Sequence, residues 1–436
     1  MSQQPAPGRD HSHGYGHDPT ARAPHGWPQA LVAVAAGAAA LIVTAALGTW
    51  AAGAGDLPGG AYPRVVAATV VLAVGGPLTV SGDAGPLADT QGELSFLPLS
   101  VTLAGALAVA WGFLRPLRHR AVAEPRELAG WAARIALLWA VLLVLVAAFA
   151  RRTFTVTPGG TVGDISELLG ATPTAAFRAD VPLTVLIGLV WLAGVLLLAL
   201  AVDRGAPLPA RLLRLRDPVR PAASTMLLLL LGCVAAGLVA GIVVAATRGR
   251  PAETFAVLLL GLPNLVWLAL TLGMGATWDG RADGPFGLPM PRVLDSAVRA
   301  PGGGTVNLST LSEYDGRVWW LLVAAAVLLL GAAVVMAVRS DPGLPLWHHP
   351  LRMAVALVLT VLAICLTGRV DARFALSLFG LGDLGGGLSG EVSLRPRIWS
   401  ALGLAALWGL ATGLLGGALA GPLRRRRHGR RHGPPL

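Results

Sequence analysis

Four glutamates stand beside or near a serine in polar stretches of an otherwise apolar chain. They are Glu93 with Ser95, Glu167 with Ser166, Glu313 with Ser312 and Glu391 with Ser393. Gathered at one rim, four carboxylates would attract cations or a basic ligand and would resist full ionisation. Left apart they are solvated loop residues, and that is the expectation their Gly- and Ser-rich settings favour. A second set of residues interrupts two apolar stretches: Gly75-Gly76-Pro77 and Gly261-Leu262-Pro263-Asn264. Proline removes a backbone donor and clashes with the preceding turn, and glycine loosens it further. Paired broken segments at corresponding positions mark the substrate site in many transporters. Asn264 is the most unusual side chain among them, because an amide inside a membrane must find a partner. It either caps the second half-helix or faces a wet cavity, and capping is the expectation.

Other chemistry has no footing in the sequence. There is no GxxxxGK[ST] loop, and all 34 basic residues are Arg, so the phosphate-binding Lys of such a loop cannot be supplied. HExxH, CxxC and a GxSxG elbow are likewise missing. His11, His13, His17 and His25 fall in a polar N-terminal stretch that reads as a flexible tail. No catalytic residue, metal site or cofactor is therefore expected. Charged residues are also missing from the centres of the apolar stretches, which speaks against a proton-coupled carrier.

The elements that must hold these residues are membrane helices. The 436-residue chain is 54% hydrophobic and 13% charged, with mean hydropathy +0.66, outside the range of soluble domains. Ten apolar segments are expected, in two groups. The first is Ala30–Ala52, Val65–Val80, Leu97–Leu114, Trp131–Ala150 and Val181–Val202. The second is Ala223–Thr247, Thr254–Ala276, Val318–Val338, Met353–Thr367 and Ile398–Ala420. The fold class is an all-α polytopic transmembrane bundle. No soluble domain is expected, since the longest polar gap, Thr277–Arg317, is too short to bury a core of its own. Cys233 and Cys365 fall mid-span and are expected as free apolar thiols.

Charge sets the orientation. The tail carries Arg424-Arg425-Arg426-Arg427 with Arg430 and Arg431, and basic connections stay cytoplasmic. Arg115–Arg126, Arg204–Arg220 and Arg339–Arg352 join it. Ser81–Phe96, Arg151–Asp180, Thr277–Arg317 and Gly368–Arg397 belong outside. Ten simple crossings cannot satisfy this arrangement. Eight crossings can, if the second and seventh segments, the two carrying breakers, enter and leave by one face. Both termini are then cytoplasmic and the protein is multi-pass in the plasma membrane. Met1–Pro28 is too long and polar for a cleavable signal and reads as a disordered cytoplasmic tail. Trp131, Trp319, Trp320 and Trp399 are expected as interface anchors.

The organisation that follows is a tail over 1–29, a first membrane repeat over 30–202, a basic loop over 203–222, a second repeat over 223–420 and a basic tail over 421–436. The net charge of +11 resides in helix-end Arg residues and does not point to nucleic acid. Membrane lipid is the expected partner, with anionic lipid at the Arg-rich C-terminal tail.

The stretch Val65–Gly82, VVAATVVLAVGGPLTVSG, and the run LSFLPLSVTLAGALAVAWGFLRPLR from Leu94 to Arg118 resemble the streptophobe family, very hydrophobic multi-span proteins of streptomycetes and their relatives. The resemblance implies an integral membrane protein of an actinobacterial cell. It implies no activity, cofactor or catalytic residue, because the family has none established. The leading expectation is a non-enzymatic structural or accessory component of the envelope. A permease- or channel-like protein with its site at the two broken helices is the alternative, and an intramembrane enzyme ranks third.

Overall fold

The computed structural model describes residues 26–57, 60–83, 88–117, 125–155, 174–203, 210–247, 249, 251–282, 304–340, 345, 347–378 and 390–429. The His-bearing tail, Glu167, Arg430 and Arg431 lie outside these residues. The chain is a polytopic helical bundle, and eight of its helices are long and apolar enough to cross a membrane.

The first half contains α1 (Trp27–Ala51), α2 (Tyr62–Ala73), β1 (Leu78–Asp83), β2 (Ala88–Phe96), α3 (Leu99–Leu114), α4 (Pro125–Phe149), β3 (Arg151–Thr155), β4 (Thr174–Ala179) and α5 (Val181–Val202). The second contains α6 (Ala210–Thr247), α7 (Pro251–Gly273), β5 (Trp278–Ala282), β6 (Gly304–Val306) and the short α8 (Leu308–Tyr314). It continues with α9 (Trp320–Arg339), α10 (His348–Thr367), β7 (Val370–Leu378), β8 (Gly390–Pro396) and α11 (Ile398–Gly429).

Small residues let the helices approach closely. On α1 the inward stripe is Ala30, Ala33, Val34, Gly37, Leu41 and Ala45, while Leu31, Val32, Val43 and Leu47 are exposed on the opposite side. This is an apolar helix sorted by size rather than polarity, as lipid-facing helices are. Helix α3 lies antiparallel to it. Gly105 packs on Leu41, and a Cβ placed on Gly112 would stand 2.8 Å from Ala33 Cα.

The four polar connections are not independent loops. They form one eight-stranded antiparallel sheet in the order β3-β4-β1-β2-β7-β8-β5-β6. No single gap has a core, yet the four together close one against the helix ends. Alternation explains how. Leu78, Leu94, Phe177, Val370, Leu394, Trp278 and Val306 occupy one face, and Thr79, Glu93, Arg178, Asp371, Arg395 and Asp279 the other. Near the helices the apolar face is buried, with Leu78, Ala179, Trp278 and Val306 nearly inaccessible. Leu78 and Ala179 cluster there with Val71, Ala147 and Ala150, and Trp278 and Val306 with Leu268, Leu272 and Leu311.

One sheet places all four strand pairs on one side of the bundle, and this decides which helices cross. Between strand pairs the number of crossings must be even, which couples α3 with α4 and α9 with α10 and leaves an odd number of α5, α6 and α7 on one side. Helix α2 does not cross, since its 12 residues reach only about 18 Å. Its start meets the sheet side, where Arg64 donates to the carbonyl of Arg151, and so does its end, where Thr102 Oγ1 donates to Ala73 O. Helix α7 is long enough to cross, but its middle lies beside Gly48 near the end of α1, through Leu259 and Leu260, and beside Leu99 and Ser100 at the start of α3. It finishes against Leu321 at the start of α9, and all of these contacts are on the sheet side. Helix α3 crosses with only 16 residues, extended by a turn through Leu117.

The halves follow one plan in detail. Each runs helix, helix, strand pair, helix, helix, strand pair, helix, with α8 as an insertion in the second. Within the sheet each half contributes its strands in the same order. The registers also agree: Leu78 stands opposite Ala179 and Leu94, as Trp278 stands opposite Pro396 and Val306.

Two expectations need correction. Trp131 is not an interface anchor; it is fully buried and its Nε1 donates to Phe113 O. Trp319, Trp320 and Trp399 are exposed. The segment at Gly261-Leu262-Pro263-Asn264 is not broken either, because α7 runs through it without interruption.

Candidate functional site

Gly75-Gly76-Pro77 is not a mid-membrane break but the turn by which α2 becomes β1. Gly75 has φ +88°, its N–H donates to Leu72 O, and the Gly76 N–H reaches back to Val71 O. This is a Schellman-type end, and it needs a residue tolerant of the left-handed region. The counterpart in the second half is Met274-Gly275-Ala276, not Pro263. Gly275 has φ +91°, with N–H bonds from Gly275 to Leu272 O and from Ala276 to Thr271 O. Surroundings differ: a Cβ on Gly75 would stand 2.8 Å from Ile187 Cγ2, whereas on Gly275 its nearest neighbour, Leu404, is 3.9 Å away. Gly275→Ala should therefore cost about 1 kcal/mol in stability and Gly75→Ala visibly more. Thermal melting of the two purified variants in one detergent checks the order.

Gly76 makes the tighter contact of the pair, its Cβ position lying 2.5 Å from Thr184 Oγ1 and 2.7 Å from Val71 Cγ1. The turn is thus filled by the start of α5 and by its own helix. In the second half Trp408 Nε1 donates to Met274 O at 3.0 Å, tying α11 to the corresponding turn.

Asn264 caps a helix, but in the other half of the protein. Its Oδ1 accepts from Leu99 N–H (3.1 Å) and its Nδ2 donates to Leu97 O (2.9 Å), at the point where β2 leads into α3. The amide satisfies an orphan donor in the first turn of α3 and the carbonyl just before it. Ser100 answers from the same turn. Its hydroxyl donates to Leu258 O (2.8 Å) and accepts from Leu262 N–H (3.1 Å). Those two backbone groups are four residues apart, so Ser100 stands in the ladder of α7 one residue before Pro263, which has no N–H to give. A side chain inserted into the ladder is a recognised way for a helix to carry proline without breaking. Gly261 has open space at its Cβ position, its nearest atom being Asn264 Oδ1 at 4.0 Å.

Of the four glutamates, Glu93 and Glu391 lie in the sheet. Glu93 stands opposite Arg373 in the β2–β7 ladder, and Arg373 opposite Glu391 in the β7–β8 ladder. Two of the four thus take register positions on either side of an arginine. Glu313 is exposed on α8, beyond β6 at the sheet's far edge among the described residues. The polar face also carries two cross-strand ion pairs, Arg395 with Asp371 (2.7 Å) and Arg397 with both oxygens of Asp279 (2.9–3.1 Å). The Asp279 carboxylate pushes the Arg397 guanidinium further above its ordinary range.

Residues the sequence did not single out are Ser100, Leu97 and Trp408. Their partners lie 134 to 167 positions away in the chain, so no local pattern marks them. Helices, sheet and tight turns together define a multi-pass membrane protein with a β-structured cap on one side of its bundle. Scans against family models, curated proteins and solved structures find no match to the chain.

Proposed function

We propose that this chain is a non-enzymatic structural or accessory component of the cell envelope, holding its sheet on the outer side of the plasma membrane. The observation that carries this reading is the closure of the positions where a permease would keep its site. Gly76 packs on Thr184, and Ser100 and Asn264 spend their polar groups on backbone partners across the two halves. The bundle packs against a sheet whose polar face, exposed at Thr79, Glu93, Arg178, Asp279 and Arg395, suits a protein partner. The matched element order, strand order and registers support an internal five-plus-five repeat, with both halves in the same orientation. Membership of the streptophobe family in an actinobacterial host rests on the Val65–Gly82 and Leu94–Arg118 runs. The Arg residues at 424–427 end α11 at the face opposite the sheet, where cytoplasmic basic residues and anionic lipid would meet.

Orientation is checked by single cysteines. Ser312→Cys and Ser393→Cys should react with an impermeant thiol reagent in intact cells, and Ala210→Cys only after lysis. Labelling of Ala210→Cys in intact cells would invert the scheme. The functional reading is tested by affinity purification of the full chain with mass spectrometry of proteins and small molecules. Envelope proteins that cross-link to β7 or β8 are the expected result. A solute retained stoichiometrically by the wild type and lost in Asn264→Ala would replace this reading with a permease.

A further inference from the structure

At the end of the bundle opposite the sheet, a cavity of about 660 Å³ opens between α5, α6 and α9, lined by Val202, Arg220, Pro221, Ser224 and Arg339. Two guanidiniums face one space. Arg339 donates to Ser224 Oγ at 3.4 Å, and Arg220 donates to the carbonyl of Asp203 just past the end of α5. Among the described residues that line the cavity, the charged ones are both arginines. Arginine presents a planar fork matched to phosphate oxygens, and a serine hydroxyl adds a donor.

The depth of the cavity tells which phosphate. Val202 and Arg339 are the last residues of their helices, and Arg220 stands at the start of the apolar part of α6. That is the level of lipid headgroups. One helical turn deeper, each lining helix shows an apolar side chain on the same face: Leu198 below Val202, Leu228 below Ser224 and Val335 below Arg339. All three are exposed, at 47%, 48% and 37%. A basic pocket opening onto apolar, outward-facing helix surface suits an anionic headgroup with its acyl chains, not a free ion.

We propose that this cavity is a specific site for an anionic phospholipid, whose phosphate sits between Arg220 and Arg339 and whose acyl chains follow Leu198, Leu228 and Val335. None of the lining residues belongs to the Arg-rich C-terminal tail, whose charge would attract anionic lipid diffusely.

Native mass spectrometry of the full chain in detergent, with phosphatidylglycerol or phosphatidylcholine added, tests it. Phosphatidylglycerol should be retained in preference to phosphatidylcholine. Arg339→Gln should weaken retention roughly tenfold, the loss of one charge-assisted contact, and Arg339→Lys less. Ser224→Leu removes the hydroxyl and narrows the cavity while leaving both charges in place, so it should lower retention even if Arg339→Gln fails to fold. Arg317→Gln, on the sheet side, should change nothing. Equal retention of the two lipids, or unchanged retention in both Arg339→Gln and Ser224→Leu, overturns the proposal. Inorganic phosphate bound without phosphatidylglycerol retention would reassign the cavity to a free anion and overturn the lipid assignment.

Discussion

Gly409→Leu should remove most of the folded protein, with a stability loss of about 3 kcal/mol or more. On α11, Gly409 and Gly413 are four residues apart and Gly416 follows three later, a stripe of bare backbone along one face. A Cβ at Gly409 would collide with the backbone of Ala354 on α10. At Gly413 it would lie 2.6 Å from Pro350 Cα, and at Gly416 2.7 Å from the carbonyl carbon of Ala333 on α9. Such contacts hold membrane helices together by dispersion over a large area, since burial from water contributes little between helices in lipid. Overpacking usually costs 1–3 kcal/mol when side chains can yield, and here the obstacle is backbone, so the helices must separate. Gly403→Leu on the same helix is the control, because nothing lies within 4 Å of its Cβ position. Size-exclusion profiles and melting temperatures should separate the two variants clearly. Equal melting would mean that the α10–α11 interface tolerates displacement.

Asn264→Leu should be the most damaging polar substitution, at about 3 kcal/mol. Leucine has the same number and branching of side-chain heavy atoms, so most of the cost comes from the Leu99 N–H and Leu97 C=O left without partners in a part-buried place. Ser100→Ala should be milder, about 1 kcal/mol. Removing its hydroxyl leaves Leu262 N–H and Leu258 O four residues apart in α7, able to close their own helical bond. The two changes touch one junction, so the double variant should depart from additivity. Equilibrium unfolding in mixed micelles gives all three values. A Ser100→Ala loss as large as that of Asn264→Leu would mean the helix cannot close its ladder at Pro263.

The helices were legible because apolar runs of membrane length have few other readings. The strands were harder to see. Ala88–Phe96 and Val370–Leu378 alternate polar and apolar residues, but Gly, Ala and Ser dilute the pattern, and each strand alone buries too little to be stable. Their pairing joins positions about 280 residues apart, which nothing local encodes. The Gly75 turn was visible as punctuation but was matched to the wrong partner. Pro263 is the conspicuous residue, yet the positive φ belongs to Gly275, which sits in an unremarkable Met-Gly-Ala. Asn264 was recognisable as a residue in need of a partner, while the partner itself depends on how the halves dock.

Continuity of the sheet across its middle imposes a waiting time on biosynthesis. Strand β2 is complete at Phe96, but β7, which covers its open edge over nine residue pairs, begins only at Val370. About 270 residues must be made in between, and at roughly 5–20 residues per second that takes roughly 15–55 s. For that interval each nascent chain carries an uncapped strand on the sheet side, able to join the same strand of a neighbouring ribosome's product. Glu93 lies along that edge and is exposed, and charge on an open strand is a common guard against such pairing. Its carboxylate would then matter most before the molecule is finished, when it keeps unfinished copies apart.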